Sequence, residues 1–78
     1  MHYVGIDVSD QHLDFALLND QGQPIRTARI DNTRRGIVAW IAQLKKKDRV
    51  VIEQSLFCLE PTGHYSQLLL EILVEQQA

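Results

Sequence analysis

The chain has 78 residues, 45% hydrophobic and 23% charged, and eight Lys and Arg against ten Asp and Glu leave a net charge of −2. These are the proportions of one small globular domain with a thin core, because a chain this short hides only about 60–65% of its unfolded surface. A pI near 5.8 argues against a free-standing nucleic-acid binder held by bulk charge, and the single cysteine excludes an internal disulfide or a multi-cysteine zinc site. No apolar run reaches the ~20 residues that cross a bilayer. Met1-His2-Tyr3-Val4 lacks the basic and long apolar regions of a signal peptide, so a reduced, cytoplasmic setting is expected.

In chain order, residues 2–8 predict an apolar strand through Tyr3-Val4-Gly5-Ile6, with Asp7 near its end. Ser9 to Gln11 form a polar turn. Residues 12–19 alternate, Leu13, Phe15 and Leu17 against Asp14 and Ala16, which predicts a half-buried strand. Asp20-Gln21-Gly22 folds 24–31 back as a hairpin, in which Arg26, Ala28 and Ile30 alternate with Ile25, Thr27 and Arg29. Its polar content suits an edge strand. Asn32-Thr33 offers a helix cap, and Ile37, Trp40, Ile41 and Leu44 make one apolar stripe. Lys45-Lys46-Lys47 closes that helix with positive charge at the negative end of its dipole. Gln54 to Leu59 reads as the fourth strand, and Leu56-Phe57-Cys58-Leu59 is apolar on both faces, as in central parallel strands, which makes Cys58 a buried small hydrophobe. Pro61 and Thr62 open a last helix with Thr62 as cap. Tyr65, Leu68, Leu69, Ile72 and Leu73 form its stripe, widened by Leu70 and Val74, so Tyr65 and Trp40 are expected in the core.

The order is β-β-β-α-β-α, an α/β class with a mixed sheet. An antiparallel meander is followed by a right-handed helical crossover to a fourth strand parallel to the first. If that strand lies beside the first, Asp7 and Glu60 meet at the carboxyl ends, where open α/β sheets bind ligands. Taken singly, Asp7 can be a strand-end residue capping the following turn, and Glu60 a carboxylate favoured by a helix N-terminus. Together they form half of a site for Mg²⁺ or Mn²⁺, which take hard oxygen ligands. Two such ions about 3.5–4 Å apart activate water and stabilise a leaving oxygen in phosphodiester cleavage.

Gly5-Ile6-Asp7-Val8-Ser9, Leu13-Asp14, Asn32-Thr33 with Gly36, and Leu59-Glu60-Pro61-Thr62-Gly63-His64-Tyr65 resemble the DEDD transposases of bacterial insertion sequences, the Piv- and MooV-like enzymes of the insertion-sequence-one-ten family. The block from Glu60 to Tyr65 is the specific signal; Gly-Ile-Asp-Val-Ser alone is weak. The resemblance implies a RuvC-like catalytic domain with a ribonuclease H fold, in which Asp7 is the first D of the tetrad and Glu60 the E. It also implies two later aspartates and a C-terminal domain with a candidate serine nucleophile, beyond Ala78. The expectation is therefore a single partial domain over residues 1–78, the N-terminal part of the catalytic domain, which does not cut DNA alone and binds Mg²⁺ or Mn²⁺ weakly at best. The full-length protein would cleave and transfer DNA strands during transposition, with DNA and a guide RNA as partners. Where this chain has Asp10, relatives often carry a basic residue.

Asp14, on the face opposite Leu13 and Phe15, is either a solvated strand residue or lies near the metal ligands. His64 is either exposed or within reach of the metal or a phosphate, Thr62 is a cap that could support the site, and Gly63 permits close backbone approach. Arg34 and Arg35 at a helix start, with Arg26, Arg29, Lys45, Lys46 and Lys47, form either a solvated basic face or a phosphate-contacting surface. Two further readings compete. Half of an actin-like or sugar-kinase ATPase has a similar first hairpin, but Ser9-Asp10-Gln11 suits a phosphate-contacting turn poorly. A non-catalytic, self-associating module follows from an unpaired sheet edge. A homodimer or higher oligomer is expected because Leu56, Cys58, Leu69, Leu70 and Leu73 would lack cover.

Overall fold

Alternation of apolar and polar side chains decides which side of each strand meets the helices. The computed structural model describes residues 1–59 and 65–77. Three strands, β1 (Tyr3–Val8), β2 (His12–Leu18) and β3 (Pro24–Asp31), form an antiparallel meander. Helix α1 (Arg34–Lys46) follows, then a 3₁₀ turn over Ile52–Gln54, strand β4 (Leu56–Leu59) and helix α2 (Gln67–Gln77). The sheet order is β3-β2-β1-β4, and β4 runs parallel to β1, so the fold is α/β with a mixed four-stranded sheet.

Both helices lie on one sheet face. Val4, Ile6 and Val8 from β1 and Leu13, Phe15 and Leu17 from β2 are buried beneath Ile37, Trp40, Ile41 and Leu44 of α1 and Leu69, Ile72 and Leu73 of α2. Trp40 fills the centre. Its ring lies 4.9 Å from that of Phe15 and 6.5 Å from that of Phe57, the latter edge-on at 90°, geometries that suit aromatic quadrupoles. Thr33 caps α1 by accepting from Gly36 N at 3.0 Å, as expected. Arg49 ends the connection in the left-handed region at φ 56°, and Val50 N then donates to Leu44 O at 2.9 Å.

Four expectations need correction. The strand proper starts at Leu56, because Ile52–Gln54 is wound into the 3₁₀ turn with Ile52 in the core. β4 is an edge strand covered on one face only. Phe57 and Leu59 pack on the core, while Leu56 and Cys58 are exposed on the other side. Tyr65 precedes α2 in a turn and is 48% exposed, so it leaves the helix stripe. On α2, Leu69 and Leu73 are buried in the core with α1 and the 3₁₀ turn, and of its described apolar side chains Leu70 and Val74 are exposed. The expected start of α2 at Pro61 and Thr62 lies outside the described residues.

Candidate functional site

The parallel pairing of β1 with β4 runs Tyr3↔Leu56, Val4↔Phe57, Gly5↔Cys58 and Ile6↔Leu59. Asp7 is the next residue of β1, and it is exposed. Because side chains alternate along a strand, the burial of Ile6 and Val8 on the helix side sends Asp7 to the uncovered side. The cross-strand partner of Asp7 is Asp14, whose partner on β3 is Arg29. Asp7, Asp14 and Arg29 therefore make a row across the uncovered face.

Two carboxylates directly opposite one another repel. Arg29 relieves this by gripping Asp14 with both ends of its guanidinium, Nε to Oδ1 at 2.8 Å and a terminal nitrogen to Oδ2 at 3.2 Å. These hydrogen bonds, more than charge proximity, hold the Asp14 carboxyl below the usual carboxylate range and raise Arg29 correspondingly. The Asp14 oxygens are occupied by Arg29, whereas Asp7 faces solvent. Small side chains beside it (Gly5, Ala16, Thr27, Cys58) leave a shallow groove of about 700 Å³ that ends at Asp7 and Asp14.

The turn after Asp7 is tied down. Ser9 N and Oγ both donate to His12 O, at 2.9 and 3.0 Å. Asn32 crosses to the same turn. Its Nδ2 donates to Ser9 O at 2.9 Å and to Tyr65 O at 3.0 Å, and its backbone N donates to Gln11 O at 2.9 Å. The sequence points to Asn32 only as part of a cap and of a family motif. Thr33 takes the cap, and the amide serves a contact between segments 23 and 33 residues away. Gly36 makes this start of α1 possible, because a Cβ there would lie 2.6 Å from Asp31 O.

The basic residues separate into two groups. Arg34 pairs with Glu75 through two hydrogen bonds, and Lys45 Nζ donates to Gln76 Oε1 at 2.8 Å. Arg26 pairs with Asp48 and lies 5.3 Å over the Phe15 ring. With Arg29 on Asp14, these cations serve internal contacts. Arg35 and Lys46 on α1, and Lys47 just after it, are exposed. Glu60, Thr62 and His64 lie outside the described residues, so the expected approach of Glu60 to Asp7 does too. Among the described residues no three His, Cys, Asp or Glu side chains cluster as a complete metal cage. Asp7 presents a solvent-facing carboxylate near the end of β1, a donor that fits a hard, hydrated cation as a single ligand, and Asp31 is likewise exposed at the end of β3. Among the same residues no helix is long and apolar enough to cross a membrane.

No curated protein matches the chain. A family model described as Transposase, of the DEDD and IS110 type, matches residues 4–78. That span runs from the second residue of β1 through the rest of the described elements, and the chain belongs to the IS110-type DEDD transposase family.

Proposed function

We propose that this chain is part of a ribonuclease H-like, RuvC-like catalytic domain and supplies two acidic ligands, Asp7 and Glu60, to a divalent-metal site for DNA strand cleavage and transfer. The observation that carries this reading is the position of Asp7. It follows the last residue of β1 paired with β4, as Glu60 follows Leu59 in the chain, and its carboxylate faces solvent. Mg²⁺ or Mn²⁺ suits such a site because these ions keep several waters and take one or two carboxylates plus substrate phosphate. When bound, the ion would supply Lewis-acid activation of water and stabilise the leaving oxygen. Asp7 would anchor it, Glu60 would complete the protein's share, and Asp14 would shape the local field through its bond to Arg29. Thr62 and His64 are proposed to support the Glu60 segment, and Arg35, Lys46 and Lys47 remain the cations of α1 and its C-cap best suited to DNA phosphates. DNA is the expected partner of the full-length transposase, with a guide RNA as a second.

Mn²⁺ titration followed by NMR relaxation tests the site without requiring activity. Line broadening centred on Asp7, and lost in Asp7→Asn, is the expected result. Broadening spread evenly over exposed carboxylates, or unchanged in Asp7→Asn, refutes it. We expect the pure chain to leave DNA intact in a nicking assay.

We also propose self-association through β4 and the exposed side of α2. Leu56 and Cys58 on β4 and Leu70 and Val74 on α2 are exposed, and an edge strand presents unpaired backbone groups. Sedimentation at micromolar concentration should show a dimer or larger species. A monomer there ends this proposal.

A further inference from the structure

Within the Asn32-Thr33 and Gly36 pattern, two residues have clear local tasks. Thr33 caps α1, and Gly36 allows the close approach to Asp31. Asn32 contributes to neither. Its side-chain amide instead spends both hydrogens of one nitrogen on two distant carbonyls, Ser9 O and Tyr65 O, and its backbone N takes Gln11 O. These acceptors belong to the turn that follows Asp7 and to the turn that opens α2. Bridging two carbonyls from one point needs at least two donor hydrogens, which an amide or a cation can supply and a hydroxyl cannot. A lysine or arginine here would bring positive charge to the end of the sheet that carries Asp7 and compete with any cation there. A neutral amide joins the turns and leaves the field of Asp7 unchanged.

We propose that Asn32 is a positioning residue that locks the turn after Asp7 to the turn opening α2, holding the Asp7 end of the sheet in one geometry for cation binding without adding charge to it. The inference rests on the reading of Asp7 as a metal ligand. It goes beyond that reading in assigning the Asn of the pattern a task that helix capping does not explain.

The test combines residue-resolved amide exchange with the Mn²⁺ titration, on the wild-type chain, Asn32→Ala and Asp7→Asn. In Asn32→Ala, exchange at Ser9, His12 and Leu70 should speed up about tenfold, the factor that corresponds to a lost hydrogen bond of about 1.4 kcal/mol. Exchange at Leu17 and Ile41 in the core should stay as in the wild type. Mn²⁺ affinity at Asp7 should fall by a similar factor. Asn32→Ser, which keeps one donor, should lie between the two and serves if Asn32→Ala does not fold. Unchanged exchange at the two turns, or an equal rise throughout the fold, overturns the proposal. Local loosening with undiminished Mn²⁺ affinity also overturns it, reducing Asn32 to a brace. Asp7→Asn separates the two claims. If Mn²⁺ does not act at Asp7 in the wild type, the metal reading fails and the positioning role fails with it, whereas the exchange pattern still decides whether Asn32 joins the turns.

Discussion

Replacing Gly36 by alanine sets two physical effects of opposite sign against each other. Gly36 is the third residue of α1, where alanine is favoured by about 0.8–1.0 kcal/mol on intrinsic helix propensity. Its added Cβ, however, would stand 2.6 Å from Asp31 O, 3.1 Å from Thr33 Oγ1 and 3.3 Å from Asp31 Cβ. The nearest of these is backbone and cannot rotate away, so the Asp31–Thr33 segment must retreat by at least about 0.4 Å to reach the 3.0 Å limit of real contacts. Overpacking of this kind costs about 1–3 kcal/mol, and disturbing the Thr33 cap adds about 1 kcal/mol. The clash therefore wins, with a net loss of about 1–3 kcal/mol. For a domain of this size that lowers Tm by roughly 5–20 °C. Gly5→Ala is the internal control. Its Cβ would meet nothing within 4 Å, so relief of glycine's entropy should raise stability by about 0.5–1 kcal/mol. Thermal unfolding followed by circular dichroism and by the fluorescence of Trp40 measures both variants. A Tm that rises in Gly36→Ala, as propensity alone demands, would refute the packing argument.

Further outcomes follow from the ion pairs and the backbone. Asp48→Ala leaves the partly buried Arg26 without its partner, and should cost about 1–3 kcal/mol in urea unfolding; a change under about 0.5 kcal/mol would show that the pair is only a surface contact. Arg49→Gly removes a left-handed non-glycine residue at φ 56° and should raise the urea midpoint by an amount equivalent to about 0.5–1 kcal/mol, while a lower midpoint contradicts the strain. Asp14 and Glu75 both have folded-state pKa values depressed, chiefly by their hydrogen bonds to Arg29 and Arg34. Their stabilisation is thus fully present above the ordinary carboxylate range near pH 4 and is lost as pH falls through the lower folded values. The variant combining Asp14→Asn with Glu75→Gln should have a flatter acid limb between about pH 5 and 2, and an identical limb would show that other carboxylates carry the acid loss.

Element order, the face of β2 that meets the helices, the α1 stripe with Trp40 in it, the Thr33 cap and the place of Asp7 near the end of β1 were all legible in the sequence. Each depends on periodicity or on neighbours within a turn, which a linear reading carries. The apolar run Leu56-Phe57-Cys58-Leu59 misled because a run records what the residues tolerate, whereas cover depends on whether another layer packs on the second face, and here none of the described elements does. Tyr65 fits a helical stripe by spacing, yet the described helix begins two residues later, and its carbonyl goes to Asn32 instead. Nothing local marks the pairings of Arg26 with Asp48, Arg34 with Glu75, or Asn32 with Ser9 and Tyr65, which join residues 22 to 41 positions apart. Hydrogen bonds and ion pairs act over a few ångströms, so tertiary structure alone decides which donor meets which acceptor, and that decision turned Arg26, Arg29, Arg34 and Lys45 of an apparent basic face into braces and a cap residue into a clasp beside Asp7.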